Sequence, residues 1–515
     1  MALRKRAGAV VAGCGAVLAA LVAPACGGSS SCEDTNSCAQ SGGTGGTGAS
    51  GGTGGTSGTG GTSGTGGTAG SGGASGGGGA GGDASTCDTT KSPGEESCLV
   101  DDQHAVFVNG LAATTGTGTK ASPYKTISEA ITAAGSKLIL VCDTTYDEQL
   151  TLTSGAKVFG GFACSDWSYE TGKRAVVKPK KGVALEITGV SASVVIEDLE
   201  LASADASGAG ESSVAATIAT SSDVKLRRVK LVAGKGQAGA NGTLTAYTYP
   251  AQSALNGNSA SGLAGGAVKS CACPAGDQSI GGAAGSGPTP QDGNPGLPNL
   301  GGGQGGKATA VCAGPGSGAN GSPATPPTAG AGASTLGTLA NATWTPTKAP
   351  NASAGGPGQG GGGGASSASG GGGGGGCGGC GGAGGPGGGG GGASIALVAV
   401  GSTVTLDAGS ELVTADAGNG GSGAAGQAGQ TDVGFGGIQA VGACPGGAGG
   451  KGADGGAGGG GAGGISVAVL WKGTQPTVDG SAKITLGKQG NKGAGGKAGS
   501  NDGIDGVAQN AFEVK

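Results

Sequence analysis

An apolar, β-branched segment occurs three times in this chain, and each time it runs into glycine. The copies read SVAATIATSSDVKL from Ser213, SIALVAVGSTVTL from Ser394 and SVAVLWKGTQPTV from Ser466; AGKGQAGANG, ADAGNGGSG and LGKQGNKGAGG follow them. A strand-forming unit that recurs after inserts of very different length predicts stacked rungs of one solenoid, with the inserts leaving from the same corner. The expected class is all-β, and such an architecture specifies no activity by itself.

Glycine makes up 131 of 515 residues, where roughly 7% is usual, and it is segregated. Glu96 to Lys230 holds twelve glycines but seven of the thirteen aromatic residues, among them Phe107, Tyr124, Phe159, Phe162 and Trp167. That stretch can bury a core, whereas tracts without side chains are expected to bury none. Between 234 and 392 only six residues are charged: Lys235, Lys269, Asp277, Asp292, Lys307 and Lys348. So low a charge does not match the usual disordered composition, and the lack of a strict Gly-X-Y period excludes collagen. Two readings stay open for this insert. One is a flexible, disulfide-tied loop; the other is a bundle of extended, polyproline-II-like glycine strands packed side by side.

Arg4, Lys5 and Arg6 open an apolar stretch from Ala7 to Ala23, which reads as an export signal too short for a membrane helix. The following Ala23-Pro24-Ala25-Cys26 is similar to a bacterial lipobox, which implies that Cys26 is lipidated. Ala23 stands where Leu is usual, and Ala23 with Ala25 also fits ordinary signal peptidase cutting the same bond. The expected location is the outer membrane or cell surface of a Gram-negative bacterium. A net charge of -4 and no longer basic run argue against nucleic acid as a partner. Fourteen cysteines in an exported chain predict disulfides. Cys142 with Cys164 end short apolar segments about one rung apart, and Cys32 with Cys38 and Cys87 with Cys98 are local pairs. Cys377 and Cys380 read as a disulfide or local staple rather than a redox motif.

The chain is expected to divide into a signal peptide (1–25), an anchor segment (26–38), a disordered Gly/Thr/Ser-rich linker (39–86) and rungs (87–233). An insert (234–392), a rung (393–418), a second insert (419–464), a rung (465–488) and a C-terminal tail (489–515) follow. Strand-like runs from Val106 onward include KLILVC, KVFGGF, VVIEDLEL and VKLRRVKL. Ile127, Ala130, Ile131 and Ala134 fall on one face of a short helix after Pro123. The run GTGTKASPYKTISEAITAA from Gly116 is similar to the opening segment of the pectate-lyase-like right-handed parallel β-helix superfamily, and VVIEDLEL resembles its rung pattern. The resemblance covers 96–233 and implies a right-handed parallel β-helix whose first rung a helix covers; the composition is similar to that of glycine-rich PE-PGRS proteins.

A shift of thirty residues lays Ile196, Leu199 and Leu201 on Leu226, Val229 and Leu231, so that Glu197, Asp198 and Glu200 meet Arg227, Arg228 and Lys230. Opposite charges stacked on neighbouring strands would pair. Enzymes of the resembled superfamily use acidic residues that bind Ca²⁺, or paired Asp residues beside His or Asn. Here the one acidic cluster on a strand already has basic partners, and Asp101, Asp102 and His104, the sole histidine, precede the first strand. GGGQGGKA from Gly301 lacks the Ser or Thr of a phosphate-binding loop, since Ala308 stands there. GGKGAD from Gly449 occurs once and reads as chance.

No catalytic, metal or cofactor constellation is therefore expected. The expected function is a non-catalytic surface lipoprotein with a structural or adhesive role, its partners the membrane through a lipid anchor and surface polysaccharide or other envelope components. The alternative is a polysaccharide-binding or polysaccharide-degrading protein. Beyond the first region, only Tyr247, Tyr249, Trp344, Phe435, Trp471 and Phe512 could stack on sugars.

Overall fold

Short β-branched runs separated by turn residues pair with their successors one coil later, and three parallel sheets result. The first holds Ala105–Val108, Leu138–Cys142, Lys157–Phe162, Val194–Glu197, Val224–Arg227, Val404–Leu406 and Thr477–Val478. The second holds Thr145–Tyr146, Ala175–Val177, Leu199–Ala202, Lys230–Val232, Glu411–Val413 and Lys483–Thr485. The third holds Leu150–Leu152, Leu185–Thr188, Ser213–Ala219, Ser394–Val400, Ser466–Lys472 and Ala508–Glu513. These positions come from a computed structural model that describes residues 87–515. The signal stretch, Cys26, Cys32, Cys38 and the linker lie outside the described residues.

In each sheet the strands stack in chain order, and the chain visits the three sheets in rotation. No sheet closes into a barrel, and the order is compatible with a parallel β-solenoid. Side chains stack in columns between the sheets: Val158, Ile196, Leu226 and Leu406; Leu201, Leu231 and Leu412; Ile187, Ile218 and Ala399. All are buried in one core, and each large side chain contributes about 1.5–3 kcal/mol. Ile127 and Ala130 of the helix Ile127–Ala133 are fully buried against the first strands, and Thr126 with Glu129 forms a capping box at its start.

The three repeats lie in register, Ser213 beside Ser394 and Ser394 beside Ser466. Their leading serines are buried and tie down the chain where it leaves the coils. Ser213 Oγ donates to the Ala204 carbonyl at 2.7 Å and accepts the Gly234 amide at 2.9 Å. Ser394 Oγ donates to the Gly234 carbonyl at 2.8 Å and accepts the Ala415 amide at 2.9 Å, and Ser466 Oγ donates to the Ala415 carbonyl at 3.2 Å. Both inserts thus depart between the second and third sheets. The 489–515 segment, expected as a tail, departs there as well and returns as the strand Ala508–Glu513 beside Ser466–Lys472.

The inserts overturn the expectation that glycine tracts bury nothing: residues 370–382 are buried throughout. The amides of Gly376, Gly379, Gly382, Gly385, Gly388 and Gly391 donate to the carbonyls of Gly447, Gly450, Ala453, Gly456, Gly459 and Ala462 at 2.8–3.0 Å. On another side, Ala349, Ala352, Gly355, Gly358, Gly361 and Gly364 donate to Gly388, Gly385, Gly382, Gly379, Gly376 and Gly373 at 2.8–2.9 Å. Bonds that recur every third residue match the three residues per turn of polyproline II. Of the two readings for the insert, the side-by-side bundle is the one observed. A Cβ at Gly381 would overlap the Gly355 carbonyl oxygen, and one at Gly361 that of Gly447, so close backbone approach requires glycine there. A local X-Gly-Gly period, marked by Cys377, Cys380, Ala383 and Pro386, carries this pattern.

Disulfides join Cys87 to Cys98 and Cys142 to Cys164 among the coils. Cys377 and Cys380, expected as a disulfide or local staple, are both disulfide-bonded but not to each other. They bond to Cys271 and Cys273, at the hairpin formed by Lys269–Ala272 and Gln278–Gly281. Alternate residues of a strand share a face, as do every third residues of a three-per-turn helix, so two cysteines two apart meet two that are three apart. Cys312 to Cys444 closes the far end of the bundle.

Candidate functional site

The acidic cluster sits at the bend between the first and second sheets. Glu197 lies opposite Arg227, and Glu200 opposite Lys230. Asp198 and Arg228 occupy the bend with φ of 55° and 48°, a left-handed turn that aims both side chains along one edge. The Asp198 carboxylate accepts Arg228 Nε at 2.9 Å, Arg228 Nη2 at 2.8 Å and the Tyr169 hydroxyl at 2.8 Å. Arg228 Nη2 also donates to Glu197 Oε1, and Glu197 Oε2 lies 3.6 Å from Arg227 Nη1. The Asp198 hydrogen bond, chiefly, raises the Arg228 pKa above its ordinary value, and burial followed by Asp198 raises that of Tyr169. Arg174 extends the ladder to Glu411 at 2.7 Å and holds that carboxyl below its usual range. These carboxylates are turned toward guanidinium groups, which compete with a cation for the same oxygens.

Asp101, Asp102 and His104 build the turn before the first strand. His104 Nδ1 lies 2.7 Å from Asp101 Oδ1, which also accepts the Gln103 and His104 amides, while Asp102 accepts the Lys120 amide. In the Gly301 motif Lys307 pairs with Asp292 at 3.0 Å and the Ala308 amide binds the same carboxylate. Among the described residues no three His, Cys, Asp or Glu side chains are grouped to hold a metal ion.

Two surface features remain. One is a groove of about 820 Å³ between the outer face of the third sheet and the hairpin Gly337–Ala340 and Thr343–Pro346, lined by Glu186, Thr188, Glu211, Thr217, Asn341 and Trp344. The Gly208 and Ser207 amides hold the Glu211 carboxyl below its ordinary range. Trp344 is only 6% exposed and packs with Leu339 on Ile395 and Val398, so its ring serves mainly as an apolar lid on the sheet.

The other feature was not foreseen. Along the strand that leaves after Val413, the outward residues Asn419, Ser422, Ala425 and Ala428 are polar or small. Toward the far turn they become Phe435, Ile438 and Val441, exposed by 59%, 72% and 85%. A spacing of three places Phe435 and Ile438 on one face of a three-per-turn strand, and Val441 follows in the turn that ends it. Few side chains are buried inside the bundle, chiefly Leu255, Gln359 and the bridged cysteines, and Phe435, Ile438 and Val441 instead form an apolar file in solvent. Leu263, in the neighbouring turn, and Val268, just before the strand Lys269–Ala272, are also exposed. Three large apolar residues at intervals of three within glycine was the available signal.

Comparison with known proteins finds no family model that matches this chain, and no curated protein or solved structure similar to it.

Proposed function

We propose that the protein is a non-catalytic surface lipoprotein with a structural or adhesive role at a Gram-negative envelope, anchored through Cys26. Its architecture is a right-handed parallel β-helix of the pectate-lyase-like kind, since parallel crossovers are right-handed in nearly all cases, carrying a glycine bundle. The observation that supports adhesion is the exposed file Phe435, Ile438 and Val441, because contiguous exposed apolar surface marks an interaction site. The paired state of Glu197, Asp198 and Glu200 supports a non-catalytic reading.

The test is the triple variant F435S/I438S/V441S displayed on cells, scored for attachment to apolar and envelope-coated surfaces. Attachment is expected to fall; unchanged attachment at equal surface level would overturn the adhesive role of this file. Failure of labelled lipid to enter at Cys26 would remove the anchor. The groove beside Trp344, with its Thr, Asn and Glu lining, favours polysaccharide binding as the second reading. Turnover of polygalacturonate by the purified protein, abolished by D198N, would replace the first reading with an enzymatic one.

A further inference from the structure

Strands made largely of glycine carry little register information, yet the inserts pair residues far apart in sequence at fixed positions. One device recurs. Asn241 Oδ1 accepts the Ser422 amide, and the Gly242 amide donates to the Ser422 carbonyl. Asn256 with Gly257 holds Phe435 in the same way, Asn320 with Gly321 holds Ala448, and Asn419 with Gly420 holds Asn491. All eight bonds are 2.7–2.9 Å long. Asp416 and Ala417 clasp Lys488 identically, so a carboxylate serves as well as an amide. Asn109-Gly110, among the coils, lacks the clasp: Asn109 Oδ1 accepts the Leu111 amide of its own turn and Gly110 donates to the Tyr146 hydroxyl.

Asn-Gly is also the dipeptide most open to self-modification, because glycine leaves its backbone nitrogen unhindered. That nitrogen attacks the Asn Cγ, a C–N bond forms, and Nδ2 departs with a proton as ammonia. Water then opens the five-membered imide to aspartate or isoaspartate, with no oxidant or reductant involved. In the clasp the glycine N–H is held by a carbonyl, and the amide on Asn Oδ1 fixes the side chain toward the partner strand, so that Cγ cannot turn back onto the glycine nitrogen.

We propose that Asn241, Asn256, Asn320 and Asn419 are latent deamidation sites, held unreactive while their clasps are closed and released when the bundle opens. Isoaspartate lengthens the backbone by one atom, which breaks the three-residue repeat and keeps a modified clasp from closing again. Isoaspartate at any of the four positions thereby records an opening of the bundle irreversibly, whereas the aspartate product can close again as Asp416 does.

The test incubates the disulfide-intact full chain and the same chain unfolded in denaturant at mildly alkaline pH, with site-resolved peptide mapping. Deamidation at the four positions is expected to be slower in the folded chain by at least about tenfold, as for any reaction gated by local opening; equal rates would overturn the proposal. Ala448→Pro removes the one amide that Asn320 Oδ1 accepts, at an outward position of a strand whose geometry suits proline. It should speed deamidation at Asn320 and leave Asn241 unchanged, and an unaltered Asn320 rate would equally count against the clasp. Aged chains with isoaspartate at Asn419 should exchange amide hydrogens faster over 418–423 and 488–494 than unaged chains. Equal exchange there would overturn the irreversible step.

Discussion

The coils and the inserts solve the same packing problem with opposite materials. In the coils, Ile196, Leu226 and Leu406 stack side chain on side chain, and apolar burial supplies the driving force. In the inserts the peptide groups are the interior: Gly381 faces the Gly355 carbonyl and Gly361 that of Gly447, and the contacts are ladders of hydrogen bonds. Each such bond yields a net of only about 0.5–1.5 kcal/mol, while ordering glycine costs more entropy than ordering any other residue. Cross-links offset that cost. The three disulfides of the bundle span sequence separations of 106, 107 and 132, whereas the two among the coils span 11 and 22.

Reduction should therefore separate the two regions most sharply. In the chain-entropy picture a loop near 100 residues is worth about 4.7 kcal/mol and a short one near 3. Reductant is expected to make 234–392 and 419–464 protease-sensitive while the coils keep their β-sheet signal; a single joint transition would show that the two regions form one cooperative unit. Leu226→Ala should cost about 2–5 kcal/mol, read as a lower urea midpoint. Gly381→Ala should cost about 1–3 kcal/mol, read as proteolysis confined to the inserts. If Gly381→Ala leaves the inserts resistant, backbone contact is not what packs them.

At the junction, Ser394→Ala leaves the Gly234 carbonyl and Ala415 amide without the hydroxyl that joins them, at about 1–3 kcal/mol. Loosening should appear in the inserts before the coils. The smallest effect is electrostatic. Arg174 keeps the Glu411 pKa below its unfolded value, so this pair's contribution is present above the ordinary glutamate range and is lost as pH falls through the lower folded value. Arg174→Gln should flatten the acid limb of coil stability and leave the inserts unaffected; an unchanged limb would show that Glu411 does not contribute to it.

Much of the coil region was legible because side-chain alternation is local. The shared leading serines and the thirty-residue shift pointed to the register seen at Ser213, Ser394 and Ser466 and at Glu197 with Arg227. The bundle was harder to read, since a period of three vanishes when the marked position is itself glycine, as at Gly389 and Gly392. The partners of Cys377 and Cys380 lie more than a hundred residues away, and the Asn-Gly clasps reach across comparable distances, so neither leaves a trace in nearby sequence. The file of Phe435, Ile438 and Val441 was visible, but its meaning depended on knowing that the strand turns once in three residues.

Whether glycine backbone forms a true interior is decided most directly by hydrogen–deuterium exchange over residues 371–392 of the disulfide-intact chain. The packed bundle predicts protection there comparable to that of Ser394–Val400, with the donors Gly376, Gly379, Gly382, Gly385 and Gly388 among the slowest amides. Exchange at the rate of an unstructured peptide would contradict it and restore the flexible, disulfide-tied loop.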